Sequence, residues 1–262
     1  MKIGQRSRYL IYGTASIGAL AWIGMAGLLA ADGVRCFLRN FSVALMRRVE
    51  LLSAHSVEIT LAALVISGGW AFSAAGWRLQ QEKPSRMAKW LDTAVDAGRY
   101  APSVVIGLII FQWTTIAAQS HLSVYTGISA LVLINTPFLA HRYHRIIQKE
   151  VSRWQLAAYA LGASSAQLVR YVAKTQALPD LLRATGSAWA KLLAETAAMI
   201  YVLGWHPPHS LQILSVAIWQ TSTHRPEPGS RPALIGLVLV VMIVAVIGLT
   251  EYGARQIENR RR

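Results

Sequence analysis

The sequence predicts an all-α membrane protein of six transmembrane helices with both termini on the cytoplasmic side. Three observations carry that reading. The 262 residues are 54% hydrophobic and only 15% charged, with a mean hydropathy of +0.38, too apolar for a soluble domain of this length. Six stretches, residues 9–31, 59–77, 100–120, 122–140, 184–205 and 233–250, each approach the roughly 20 helical residues that a ~30 Å hydrocarbon core requires. The basic residues also sort by side. With the N-terminus inside, 19 of the 26 Lys and Arg fall in cytoplasmic segments and 6 outside, leaving Lys191 within a span. The net charge of +14 is therefore a topological signal, and no basic, aromatic-bearing soluble domain remains to bind nucleic acid.

The elements follow in order. Residues 9–31 are uncharged and follow Lys2, Arg6 and Arg8. The stretch is too long for the 7–15-residue apolar core of a signal peptide, and Leu29 before Ala31 is a poor cleavage site, so an uncleaved anchor is expected. Between the first two spans, Phe37, Leu38, Phe41, Leu45, Val49 and Leu52 recur at helical spacing, which reads as an interfacial helix within residues 36–57. Cys36 is the single cysteine, so neither an intramolecular disulfide nor a cysteine-rich metal site can form.

After the second span, Pro84 and Ser85 open a short cytoplasmic helix with Met87, Trp90, Leu91 and Val95 on its apolar side. "QSHLS" turns tightly outside between the third and fourth spans. The stretch from His141 to Pro179 reads as helical and rich in small residues. "THRPEPGSRP", residues 223–232, reads as an irregular outside loop. Trp77, Trp113 and Trp205 lie near span ends, where aromatic anchoring suffices.

Several chemistries are excluded. The chain has no G-x-x-x-x-G-K-[ST], no H-E-x-x-H and no G-x-S-x-G, and Asp32-Gly33 lacks the further aspartates of a lipid transferase. His141 and His144 are spaced i, i+3 without a third ligand, so no metal site is expected. No cofactor and no catalytic group are expected.

Two stretches stand out. "LAAYALGASSAQLVRYV" surrounds Gly162 with Ala157, Ala158, Ala160 and Ala163, a composition that lets two short helices meet sharply and a partner's backbone approach. "AWAKLLAETAAM" places Lys191 and Glu195 on one helix face near mid-span, where a charge costs about 2.5–3.5 kcal/mol on insertion scales. Mutual neutralisation or snorkelling to the headgroups would be the bland account.

These stretches stand in an order that resembles the coupling loop and fifth helix of phosphate-specific ABC importer permeases of the PstA type. That pattern runs approximately E-A-A-x-A-L-G-A, then A-L-P, then R-A-x-G-E-T-A. Here it reads Leu156-Ala157-Ala158-Tyr159-Ala160-Leu161-Gly162-Ala163, then Ala177-Leu178-Pro179, then Lys191-Leu192-Leu193-Ala194-Glu195-Thr196-Ala197. "APSVVIGLI" is similar to the start of that family's third helix, and Pro137 to the proline near the end of its fourth. The departures are Leu156 for the acidic residue that opens the loop, Thr175 for a proline, Asp180 for glycine and Lys191 for arginine.

The resemblance implies the ABC importer permease (MetI-like) fold over residues 1–262, with residues 141–179 as a cytoplasmic coupling loop. It implies a subunit without catalysis of its own. The partners would be a cytoplasmic ABC ATPase dimer, a second permease subunit that is usually different, an extracytoplasmic substrate-binding protein and the lipid of a bacterial inner membrane. It assigns ATPase coupling to Ala157, Ala158, Leu161, Gly162 and Ala163. The substrate pathway falls to Lys191, Glu195 and Thr196, with Arg183 at the cytoplasmic entrance either an anchor or a pathway residue. Two alternatives stay open: a permease for another oxyanion or solute, since lysine lacks the bidentate fork of arginine, and a permease-like scaffold without an ATPase, for which Leu156 argues.

Overall fold

A computed structural model describes residues 24, 27, 28, 31, 32, 34, 35, 43–80, 86–116, 123–195, 197–203, 212–224 and 231–260. Among the described residues, all regular structure is helical. In chain order the elements are α1 (Val43–Gln80), α2 (Arg86–Gly98), α3 (Ser103–Ile116), α4 (Val124–Ala160), α5 (Ser165–Lys174), α6 (Leu178–Ala194), α7 (Ala197–Leu203), α8 (Leu214–His224) and α9 (Arg231–Asn259). By length and composition α1, α4 and α9 can each cross a membrane, and a fourth crossing results if the pair α2–α3, bent by 106°, counts as one. Most of the first expected span, Cys36, Thr196, most of "QSHLS" and residues 225–230 of the expected outer loop lie outside the described residues.

Two boundaries differ from the sequence reading. The interfacial helix expected before Ile59 is, from Val43 onward, the first part of α1 itself. Nothing between Arg47 and Ile59 breaks a helix: the stretch has no proline or glycine, and Ser53 and Ser56 donate their hydroxyls to the carbonyls four residues back. The expected fifth span, 184–205, is divided, because α6 stops at Ala194 and α7 begins at Ala197.

The core is built on small residues. Ala63, Ser67, Ala71 and Ala75 repeat every four positions along α1, and all four are fully buried. The stripe lets α1 lie close against α4, whose Leu131, Leu139, Tyr143 and Ile147 fill the same cluster. Within this seam Asn135 Nδ2 donates to Ser67 Oγ at 2.8 Å, an interhelical bond where no water competes. Pro137 sits inside α4 and packs beside Gly98, where an added Cβ would come within 3.3 Å of its ring.

Helix α9 closes the other side of α6. A Cβ on Gly186 would overlap the Thr250 side chain, so glycine is what allows the two helices to cross there. Helix α8 is tied in by polar contacts. Leu214 N–H donates to Ser56 Oγ at 2.8 Å and Trp189 Nε1 to Thr60 Oγ1 at 3.1 Å, joining α1, α6 and α8 through buried hydroxyls.

Candidate functional site: a cationic helix face and a helical tip

Helix α6 starts with Pro179 in its first turn, where a missing N–H costs nothing. It runs past Arg183 and Ser187 to Lys191 at four-residue intervals. Lys191 is exposed, and its ammonium stands 4.5 Å from the ring centroid of Phe138 on α4. One turn further along α4, the guanidinium of Arg142 lies 5.4 Å from the same ring and donates to Ser187 Oγ. The i, i+4 pair Phe138/Arg142 thus faces the i, i+4 pair Ser187/Lys191, with both cations against one aromatic ring. A negatively charged group on this open face would meet two cations, while the Ser187 hydroxyl accepts from Arg142 and donates to Ala184 O at 2.8 Å.

Glu195 behaves differently from the sequence expectation. It is the residue at which α6 ends, with φ −71° and ψ 110°, so the helix face it was expected to share with Lys191 does not continue through it. No ion pair joins the two among the described residues. Its carboxylate instead accepts the Ala198 N–H at 3.4 Å, capping α7, and its backbone carbonyl accepts the buried Ser215 hydroxyl at 3.1 Å. Just past the break, Gly107 of α3 lets the Ala198 backbone approach so closely that a Cβ there would sit 2.8 Å from Ala198 Cα and O.

Arg183 is committed elsewhere. Its Nε donates to Glu251 Oε2 at 2.8 Å, and its Nη1 to Asp180 Oδ1 at 2.9 Å and Glu258 Oε1 at 2.7 Å. Arg255 also holds Glu251, at 2.8 Å. Arg183 and then Arg255 keep the Glu251 carboxyl below the usual carboxylate range. This places Arg183 in a clamp between α6 and α9, away from Lys191.

The expected coupling residues form a turn of defined geometry. Gly162 has φ +78°, the left-handed region. Gly162 N–H donates to Tyr159 O and Ala163 N–H to Ala158 O, both at 3.0 Å, the pair of bonds that closes a helix at a glycine. Ser164 then caps α5 in a reciprocal box with Gln167. The tip this makes is open and apolar: Leu156 is 87% and Leu161 88% exposed, with Trp154 and Tyr159 nearly half exposed beside them. Ala157 is exposed, and Ala158 and Ala163 are partly so. Behind the tip, α5 buries Leu168, Val169, Val172 and Ala173 in the bundle.

Sequence reasoning counted Arg142 only among the 19 cytoplasmic Lys and Arg and passed over Phe138 and Ser187. Each i, i+4 spacing is visible in the chain, but nothing in the chain says that the two pairs face one another. Among the described residues no group of three or more His, Cys, Asp or Glu could hold a metal ion.

Comparison with known proteins gives this geometry a setting. Residues 69–262 match the model of the binding-protein-dependent transport system inner membrane component. Phosphate transport system permease proteins PstA from Yersinia pestis and Haemophilus influenzae are 25% and 24% identical over 126 and 155 residues. Those alignments cover 48% and 57% of this chain and 39% and 55% of the relatives, so the chain spans about half or less of their length. PstA 2 of Mycobacterium bovis is 21% identical over 205 residues, 74% of this chain and 68% of the relative. Two structures of the inward-facing MetNI methionine ABC transporter superpose with TM-scores of 0.60 and 0.63. They are 20% and 18% identical and cover 82% of this chain and 97% and 99% of theirs, so the fold is shared. With the family model matched over most of its length, the chain belongs to the binding-protein-dependent transport system inner membrane components, the permease subunits of ABC transporters, which are not themselves enzymes.

Proposed function

We propose that this chain is a membrane subunit of an ATP-driven importer of inorganic phosphate. The observation that carries the reading is the open cationic face of Lys191, Arg142 and Ser187 around Phe138. A dianion is held by such a face through charge, with the aromatic ring gathering the two cations on one face. The PstA relatives support phosphate, while the MetNI transporters share the fold alone. The pathway residues are Lys191, Arg142 and Ser187, with Glu195 at the helix break that follows and Thr196 next in sequence. Arg183 serves as the α6–α9 clamp.

In this reading six helices cross a bacterial inner membrane with both ends inside, and the first falls within residues 9–31. The open face is completed by a second, different permease subunit, and an extracytoplasmic binding protein delivers the anion. The tip at Ala157, Ala158, Leu161, Gly162 and Ala163 seats in a groove of one ATPase of a cytoplasmic pair. Because α4 is one helix from Val124 to Ala160, a push on that tip reaches Phe138 and Arg142 directly.

Co-purification tests the assignment. The tagged full-length chain should retain an ATPase, and Leu161→Asp should release it with the chain still inserted. Reproducible absence of an ATPase from the wild-type preparation would leave a permease-like scaffold, the reading that Leu156 favours. Hydrolysis stimulated by a binding protein loaded with another solute, and not with phosphate, would keep the importer and discard its substrate.

A further inference from the structure

The cationic face is assembled from two helices, so its geometry is only as fixed as their register. Helices α4 and α6 run antiparallel, with Arg142 against Ser187 and, one turn along, Phe138 against Lys191. The apolar packing beneath does little to hold them there. The α6 stripe that enters the common core is Leu181, Ala184, Ala188 and Leu192. Its middle is alanine, a surface along which a helix slides without meeting a bulky neighbour. A slide of one full turn, about 5.4 Å, would set Arg142 against Lys191 or against Arg183, cation on cation. Smaller displacements meet no such opposition.

One buried contact does oppose them. Tyr143, the residue after Arg142, is buried in the core, and its hydroxyl lies 2.7 Å from Thr185 Oγ1 on α6. Thr185 donates its own proton to Leu181 O at 2.7 Å, so in this bond Tyr143 is the donor and Thr185 the acceptor. The tyrosine is held from the α1 side. Phe72 meets its ring edge-on with centroids 6.5 Å apart, and a Cβ added to Gly68 would stand 3.8 Å from the hydroxyl. The ring is therefore not free to follow α6, and a displacement of that helix leaves a buried donor without a partner. A single buried polar contact is an established means of fixing helix register.

We propose that Tyr143 and Thr185 are positioning residues of the anion face: their hydrogen bond fixes the α4–α6 register in which Lys191 and Arg142 share the Phe138 ring. The role rests on the reading of that face as the phosphate pathway, and one assay separates the two. Full-length protein in mild detergent is treated with the neutral amine reagent N-hydroxysuccinimidyl acetate, with and without inorganic phosphate, and modification of Lys191 is followed by peptide mass spectrometry. Without phosphate, the wild type should label slowly because the ring shields the ammonium, and Phe138→Ala several-fold faster. Tyr143→Phe and Thr185→Val, which keep the packing and remove the bond, should label at the faster rate, while Thr185→Ser, which keeps the acceptor, should label as wild type. With phosphate, wild type and Thr185→Ser should be protected, and the two variants lacking the bond should need about fivefold more phosphate for equal protection, the effect of one ordinary hydrogen bond. Wild-type labelling in Phe138→Ala, or in both Tyr143→Phe and Thr185→Val, overturns the positioning role, as does unchanged protection in those two variants. The expected labelling pattern without any protection of the wild type by phosphate supports the positioning role and removes phosphate as the ligand of the face. Should Tyr143→Phe fail to fold, the contrast between Thr185→Val and Thr185→Ser decides alone, and equal rates in that pair overturn the role.

Discussion

Phe138 gathers the ammonium of Lys191 and the guanidinium of Arg142 about one ring, and Ser187 accepts a hydrogen bond from Arg142. Removing the ring in Phe138→Ala forfeits cation–π attraction of roughly 0.5–2 kcal/mol. We expect the half-saturating phosphate concentration for uptake to rise several-fold at unchanged protein level. Glu195 separates a capping role from a pathway role. Glu195→Gln keeps an oxygen for the Ala198 N–H and should leave the detergent unfolding temperature nearly unchanged, while Glu195→Ala should lower stability by about 1 kcal/mol, the usual effect of losing a cap. The charges at 191 and 195 were legible in the sequence because charge is scarce in an apolar run. Their separation by a helix break was not, because the run from Lys191 to Ala197 holds no proline or glycine to announce one.

Glycine sets one helix end, at Gly162, and one helix crossing, at Gly186. Gly162 has open space around it, so a substitution there is opposed by its φ of +78° and not by a clash. Gly162→Ala should therefore loosen the tip by about 1–2 kcal/mol, the usual handedness penalty, and uncouple ATP hydrolysis from uptake while the bundle stays folded. Gly186 is the reverse case, with no room beside Thr250. Gly186→Val should destabilise the α6–α9 crossing by about 1–3 kcal/mol, measured as a lowered unfolding temperature in detergent. The alanine-rich tip and its glycine were readable from composition and turn chemistry. The unbroken run of α1 was missed because apolar residues at helical spacing read as a separate interfacial helix, whereas local propensity simply continued the helix. Asp180, which replaces a family glycine, gained a meaning only with the clamp, as one of three carboxylates on Arg183.

The bundle as a whole carries a pH dependence at its α1–α2–α4 corner. His141, 3.3 Å from Asp96, is held below its ordinary value of 6.5 by burial and then by Arg99. His144 is lowered by burial and then by Arg78, which is itself paired with Asp92 at 2.5 Å. Both groups resist protonation in the fold, so the unfolded chain takes up protons first on acidification. Stability should be level above about pH 6.5 and fall below it. Glu251, lowered by Arg183, adds a further loss as pH falls below its ordinary 4.5. Unfolding temperatures from pH 8 to 4 should trace this decline, and His144→Asn should flatten its first part. At this scale the all-α class and the membrane character were plain from composition, while the faces that pack together were not, since an apolar helix in lipid shows little periodicity to read. The central claim is that the Lys191 face carries phosphate. Its most direct measurement is ATP-driven accumulation of labelled phosphate in proteoliposomes holding this chain, its ATPase pair, a second permease and a loaded binding protein. Wild type and Lys191→Arg should accumulate phosphate, with Lys191→Ala at least tenfold slower. Undiminished uptake by Lys191→Ala, or accumulation of a different solute in place of phosphate, would contradict the account.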